Sequence, residues 1–288
     1  MIHTIITHPG NAHKDEFLAC AVLLSKYPVS IVRREPSADD LADPEITVLD
    51  IGGEHAPERN NFDHHQFPRE SEPACALSLA LQSLGLYDDA LEFCPWLPIA
   101  EYFDCRGPEE TAQWLGIDRE TLGKLNSPLD IILLQRFANQ SAHNPGETIW
   151  ECMRMIGTDL VEYLTSQRER IQFVSKHAEI WTIEQGPHAF KVLFMPRTVP
   201  LPENASASLG HYILSLGLEQ EVLALVYPDS RGEGYGLRRF RDNPKMDFGK
   251  LDGLEDVHFV HAQGFIAKTS STREERLKQL VSSAYVGF

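Results

Sequence analysis

The first fifty residues alternate short apolar runs with one helical run, and that order narrows the folds open to this chain. Ile2 to Thr7 is a β-branched run and reads as a strand. Asp15 to Lys26 sets Phe17, Leu18, Ala21, Val22 and Leu24 at helical spacing. Val29 to Val32 and Ile46 to Ile51 again read as short buried strands. Strand, helix and strand in that order predict an α/β fold, a parallel sheet with helices on its faces. Further helices are expected near Ala74–Leu84, Ala90–Phe103 and Pro128–Ala138, and a glycine-free run from Thr158 to Glu184 reads as one long helix. Beyond it the pattern changes. Phe190–Phe194, Val222–Tyr227, Gly234–Phe240 and His258–His261 read as strands, with helices over Ser206–Leu216 and Thr272–Tyr285. A domain boundary is expected near residue 185, with the long helix joining the two parts.

Charge limits the partners. The net charge is −16 over 288 residues, which argues against coating long nucleic acid, because that binding needs a Lys/Arg surface. A short phosphate-bearing ligand stays open, since bound divalent cations reverse a local field. No apolar run reaches the ~20 residues of a membrane span. The first residues read as an immediate strand rather than a secretory signal. Five cysteines, widely spaced and without a Cys-x-x-Cys pair, suggest neither a disulfide framework nor a structural zinc site. The expected setting is the cytoplasm.

Three segments concentrate metal-ligand chemistry. His8-Pro9-Gly10-Asn11-Ala12-His13-Lys14-Asp15-Glu16 follows the first strand and opens the first helix, the edge where open α/β sheets bind ligands. Pro9 and Gly10 make a turn that can gather His8, His13 and Asp15. Asp15 reads equally as a residue favouring a helix N-terminus, and for Glu16 that plainer reading is preferred. Val48-Leu49-Asp50-Ile51-Gly52-Gly53 presents a carboxylate at a strand end, though alone it would read as a turn. Phe62-Asp63-His64-His65-Gln66 is harder to explain by packing, because neighbouring imidazoles point in different directions. Imidazole is also the commonest metal-binding side chain. A solvated polar loop is the alternative.

Asp63-His64-His65 after an Asp50 strand end resembles the DHH phosphoesterase superfamily. His8-x-Gly10-x-x-His13-x-Asp15-Glu16, Asp50-Ile51-Gly52-Gly53, Pro57-Glu58-Arg59 and Asp63-His64-His65-Gln66 resemble one branch of it, the melanocyte-proliferating-gene (Myg) exonuclease-like family. Phe259-Val260-His261-Ala262-x-Gly264-Phe265-Ile266 is similar to that family's closing motif. Pro9 and Ala12 depart from the residues usual in the first motif.

The resemblance implies a doubly wound, mainly parallel DHH-type domain over residues 1–150, a connecting helix over 151–185, and a smaller α/β or α+β substrate-binding domain over 186–288. It implies two divalent metal ions, Mn²⁺ first, with Mg²⁺, Zn²⁺ or Fe²⁺ as alternatives. The ligands it implies are His8, His13, Asp15, Asp50, His64 and Asp104, the last in Tyr102-Phe103-Asp104-Cys105. His65 would touch substrate phosphate and Asp63 would orient its neighbours, so Asp50, His65 and Asp63 form the expected catalytic group. A donor set of nitrogen and oxygen suits those metals. Three carboxylates against two divalent cations leave a net single positive charge, which attracts phosphate. Asp50 is expected to bridge cations roughly 3.5–4 Å apart, the usual spacing for two-metal hydrolysis.

In the second half, Arg231, Arg238, Arg239 and Arg241 cluster around Tyr235. Arginine forks suit phosphate and Tyr235 could stack on a base, although any one of these arginines alone reads as a solvated strand residue. With His261 and Gly264, Arg238 and Arg239 are the expected substrate contacts. Trp96, Trp114, Trp150 and Trp181 read as core or interface aromatics, and His143 and His177 as surface or structural. The leading function is a nuclease-like phosphodiesterase acting on short RNA or DNA. The alternatives are a small-molecule nucleotide phosphatase or pyrophosphatase, and a metal-binding module without turnover. Partners are a short oligonucleotide or a phosphorylated small molecule, no membrane, and a homodimer as an admissible assembly.

Overall fold

The computed structural model describes residues 1–288 apart from 126, 203, 205 and 288. The chain divides into two compact units, Met1–Ser166 and Gln167–Phe288. Among the described residues no helix is long and apolar enough to cross a membrane.

The first unit runs β1 (Thr4–Thr7), α1 (Lys14–Leu24), β2 (Ser30–Arg33), α2 (Ala38–Ala42), β3 (Ile46–Leu49), β4 (His55–Ala56), β5 (Asn61–Phe62), α3 (Ala76–Ser83), α4 (Tyr87–Phe93), α5 (Leu97–Leu115), α6 (Arg119–Lys124), α7 (Pro128–Ala138) and β6 (Ala142–His143). The sheet order is β4-β5-β3-β1-β2-β6. Strands β5, β3, β1 and β2 are parallel, and β4 and β6 add antiparallel edges. The chain winds outward from β1 in both directions, first to β2 and then to β3, as the α/β expectation required. The strand order therefore switches between β1 and β3, where a crevice opens at the carboxyl ends of the strands.

Register sets the site. Thr7 faces Leu49, and Leu49 faces Phe62. The next residues, His8, Asp50 and Asp63, leave the sheet side by side. Ile5, Ile6, Ile31, Val48 and Leu49 are buried between helices. Helix α1 buries Phe17 and Ala19 through Leu24, so it is apolar on nearly every side and sits inside the unit. Truncating Leu23 there would cost about 2–5 kcal/mol.

Two helices differ from the sequence expectation. The run expected as one helix over Ala90–Phe103 breaks at Cys94, ahead of Pro95, into α4 and α5. Helix α5 is reset at Gly107, whose φ of 77° no helix interior adopts. The long helix, α8, spans Thr148–His177 rather than Thr158–Glu184. The sequence places its start too late because glycine reads as a breaker. A Cβ at Gly157 would lie 1.7 Å from the Ala21 carbonyl oxygen, so glycine is what lets α8 cross the backbone of α1. The residues after 178 instead enter a strand.

The second unit contains β7 (Glu179–Gln185), β8 (His188–Phe194), α9 (Leu209–Ser215), β9 (Val222–Pro228), β10 (Tyr235–Arg239), β11 (Val257–Val260), β12 (Ile266–Thr269) and α10 (Glu274–Ser283). The order is β11-β12-β10-β9-β8-β7, antiparallel except for β8 with β9. Alternation along β8 serves two cores. Val192 and Phe194 pack with Trp181, Leu277 and Leu280 on one face. Leu193 packs with Val174, Leu209 and Ile213 on the other.

Candidate metal centre

Asp50 ends β3 in the left-handed region, with φ of 59°. Aspartate tolerates that region better than most residues. Gly52 and Gly53 complete the turn with φ of 100° and 68°. The Asp50 carboxylate is buried and works in two directions. Its Oδ1 lies 3.1 Å from His64 Nε2, and its Oδ2 lies 3.4 Å from His8 Nε2. His64 Nε2 is also 3.1 Å from Asp104 Oδ2. Asp104 comes from α5, one turn before the Gly107 reset.

The six expected ligands, His8, His13, Asp15, Asp50, His64 and Asp104, are thus brought to one place. Their donor atoms form overlapping groups within 4.8 Å: His8, His13, Glu16 and Asp50; His13, Asp15 and Asp104; Asp50, His64 and His65; His64, Asp104 and Cys105. Three members lie outside the expected ligand set: Glu16, Cys105, and His65, which is expected to touch substrate rather than metal. Glu16 reads in sequence as a helix N-terminal residue, yet it is fully buried and its carboxylate lies against His8 Nε2. Cys105 Sγ lies 3.9 Å from His64 Nδ1. For Cys105 the sequence signal is adjacency to Asp104, and for Glu16 it is adjacency to Asp15 within the first motif.

The electrostatics are those of crowded carboxylates. Burial, with Asp50 and Asp104 beside it, holds the Asp15 carboxyl well above its ordinary range. Burial pushes Glu16 up to about 9 against the pull of Arg33. Burial opposes charge on His64, but hydrogen bonding to Asp104 and Asp50 carries it up to about 12. Asp104 is held low by His64 despite its own burial. Asp15 Oδ2 accepts from the Ala76 N–H at the start of α3, at 3.3 Å. Asp15 Oδ1 and Glu16 Oε2 are buried without a hydrogen-bond partner. Unpartnered buried oxygens among imidazoles, with oxygen and nitrogen donors dominant, fit a divalent cation.

His64 and His65 differ in burial. His64 is buried in the cluster, whereas the His65 side chain is 64 % exposed. Asp63 accepts from the Gly53 N–H at 2.6 Å through Oδ2 and holds His65 through Oδ1. Burial raises Asp63, but its bonds to His65 and Gly53 win and bring it down to about 2. The same hydrogen bond raises His65. A cavity of about 310 Å³ opens beside the cluster, lined by His13, His64, His65 and Asp104 and flanked by Arg69 and Arg106. Neither arginine stands out in the sequence.

In the second unit the arginine cluster is divided. Arg238 and Arg239 are neighbours on β10, and successive strand residues point to opposite faces. Arg238 is exposed. Arg239 lies over the Phe265 ring at 6.0 Å, and the His261 ring packs on the same ring at 3.9 Å. Tyr235 is not a free stacking face. It is buried in the core, its hydroxyl accepts the Arg197 N–H at 2.9 Å, and its ring sits 5.6 Å from Phe194. Gly264 has φ of 67°, and a Cβ there would lie 2.0 Å from Asp247 Oδ1. Packing alone accounts for glycine at this position. Trp150 and Trp181 are buried, while Trp114 is half exposed and stacks on Tyr102. His143 is structural, fully buried with Nε2 at 3.0 Å from the Phe137 carbonyl.

Residues 4–86 match the model of the MYG1_exonuc family, described as an uncharacterised protein family (UPF0160). The resemblance drawn from the motifs holds over this segment. The MYG1 exonucleases of Bos taurus and Homo sapiens are each 45% identical over 62 residues, 21% of this chain and 16% of theirs. The Rattus norvegicus protein matches to the same extent. The aligned stretch thus spans less than a fifth of these relatives. Among solved structures, the DHH domain of a member of a family of ribosomal proteins aligns over 97% of this chain and 85% of its own, at 16% identity and a TM-score of 0.30.

Proposed function

We propose that this protein is a metal-dependent phosphoesterase that hydrolyses phosphodiester bonds of short RNA or DNA at a two-cation centre. The observation that carries the reading is the convergence of His8, His13, Asp15, Asp50, His64 and Asp104 at the switch point of a parallel sheet, in overlapping donor groups. The match of residues 4–86 to a family of exonuclease-named relatives supports it.

His8, His13 and Asp50 would hold one divalent cation, and Asp15, His64 and Asp104 the other with Asp50 shared. Mn²⁺ suits the donors first, with Mg²⁺, Zn²⁺ or Fe²⁺ as alternatives. Bound cations would supply Lewis-acid polarisation of the phosphoryl oxygens and a more acidic water. The chain's own residues orient the rest. Asp63 accepts from the Nδ1–H of His65 at 2.7 Å, and that bond favours the protonated ring, whose Nε2–H would donate to a phosphate oxygen. Arg69 and Arg106 border the same cavity and offer charge-assisted hydrogen bonds to phosphate. In the second unit, Arg239 and His261 around Phe265 are the proposed substrate contacts.

The net charge of −16 disfavours long polyanions and favours a short substrate. The same charge and a cavity of nucleotide size keep a nucleotide phosphatase or pyrophosphatase as the second reading. The deciding experiment is Mn²⁺-dependent cleavage of short end-labelled RNA oligomers by wild type and Asp50→Asn. Asparagine also tolerates φ near 59°, so the variant should fold. Turnover falling at least about a hundredfold in Asp50→Asn, with a ladder of shortened products in wild type, supports the proposal. Near-wild-type turnover in the variant sinks it. Hydrolysis of nucleotides without cleavage of oligomers selects the second reading, and metal binding without hydrolysis of either selects a binding module.

A further inference from the structure

We propose that Glu16 is itself a metal ligand, a fourth donor beside His8, His13 and Asp50, and that Arg33 is the residue that positions it. This rests on the two-cation reading above.

The Glu16 side chain is 0 % exposed and its two oxygens are not equivalent. Oε1 accepts from Arg33 Nη2 at 3.0 Å. Oε2 has no hydrogen-bond partner and is turned toward His8 Nε2. His8 Nδ1 lies 2.9 Å from the Pro9 carbonyl oxygen. A carbonyl only accepts, so a metal-binding His8 would keep its N–H on Nδ1 and offer Nε2 to the cation. His8 Nε2 meets Glu16 Oε2 on one side and Asp50 Oδ2 at 3.4 Å on the other. A single divalent cation would satisfy all three atoms at once, where one shared proton bonds only two of them well. His13 completes the group, all four donors lying within 4.8 Å of one another.

Arg33 makes this arrangement rigid. It ends β2 opposite Thr7 of β1. It donates to the Gly10 carbonyl at 3.1 Å and the Asn11 carbonyl at 3.2 Å, inside the turn that joins His8 to His13. Its guanidinium lies 4.6 Å from the Phe137 ring centre. One side chain thus fixes both the turn and the carboxylate. It also settles the charge. Glu16 adds a fourth carboxylate to Asp15, Asp50 and Asp104, and Arg33 cancels it. The sum with two divalent cations stays at one positive charge, so a fourth carboxylate ligand costs the site none of its attraction for phosphate.

A plain buried ion pair is the competing reading, and metal binding separates the two. Mn²⁺ stoichiometry and affinity would be measured by calorimetry and metal analysis on wild type, Glu16→Gln, Glu16→Asp and Arg33→Ala, with thermal unfolding alongside. The expected result is two Mn²⁺ in wild type. In Glu16→Gln one of the two should weaken by more than about a hundredfold and the other stay unchanged. Arg33→Ala should weaken the same site by about 10–100-fold, as loss of an orienting residue does. Removing one partner of a buried pair can unfold a chain. Glu16→Asp guards against that, because it keeps the charge beside Arg33 and withdraws the oxygen facing His8. It should weaken the same site. Folded variants that hold two Mn²⁺ at wild-type affinity while melting lower overturn the assignment and leave an ion pair. Wild type that binds no cation overturns the two-cation reading and this inference with it.

Discussion

One carboxylate oxygen of Asp63 takes both the backbone N–H and the ring Nδ1 of His65, at 3.1 and 2.7 Å. The other oxygen holds the Gly53 N–H beside Asp50. Asp63 therefore fixes the exposed imidazole of His65 and the turn at Gly53 together. Asp63→Ala should lower turnover by about 10–100-fold, the usual cost of losing an orienting carboxylate, while Mn²⁺ stoichiometry stays as in wild type. Steady-state kinetics with metal analysis checks both halves. Loss of bound metal in this variant would show that Asp63 holds the ligands rather than His65.

Because Arg238 and Arg239 face opposite sides of β10, one ligand cannot use both from one face. Arg239, beside Phe265 and His261, is the expected contact. Arg239→Ala should raise KM about tenfold with kcat nearly unchanged, the pattern of lost uniform binding. Arg238→Ala should leave both constants near wild type. Equal effects from the two variants would refute the division of the cluster.

Gly264 tests packing against binding. Alanine there must occupy a left-handed φ and approach Asp247 Oδ1, so Gly264→Ala should destabilise the protein by about 1–3 kcal/mol. Adding Asp247→Ala should recover part of that loss, because it removes the colliding oxygen. Denaturant melts of the two variants decide it. Full stability with a raised KM would instead make Gly264 a substrate contact.

Asp40 sets an acid dependence away from the centre. Its carboxylate takes both Arg34 nitrogens, at 2.7 and 2.9 Å, and closes the cap of α2 with Ser37. The Arg34 bonds hold it below the ordinary carboxylate range despite its burial. A depressed folded value means the stabilisation is fully present above the unfolded value near 3.9 and is lost as pH falls through the folded one. Asp40→Asn should therefore cost about 1 kcal/mol at neutral pH, an N-cap-sized effect given that Arg34 is half exposed. The difference from wild type should shrink below about pH 4. An equal difference at neutral and acid pH would contradict the ion pair.

Much of the centre is readable in the sequence because its donors sit at strand ends, and strand ends follow from apolar runs. Ile2 to Thr7 and Ile46 to Ile51 point to β1 and β3, and with them His8 and Asp50. Pro128–Ala138 matches a helix residue for residue. What escapes is long-range. Nothing local ties Arg33 to Glu16, since the pair exists only once β2 lies beside β1. Strands β4, β5 and β6 are two residues each, too short for any periodicity. Tyr235 misleads because arginines surround it in sequence, whereas alternation along β10 sends its ring into the core.

The register that lines up His8, Asp50 and Asp63 also bears on folding. The donors lie on segments that are far apart along the chain and meet only after β1, β3 and α5 have assembled, so the unfolded chain offers a cation no comparable grip. Any cation held there acts as a ligand of the native state alone and shifts the folding equilibrium by mass action. The gathered carboxylates repel one another until that happens. Cation concentration thus becomes a variable of folding, and a chelator should act on this protein as a denaturant does, with a melting temperature that tracks free metal.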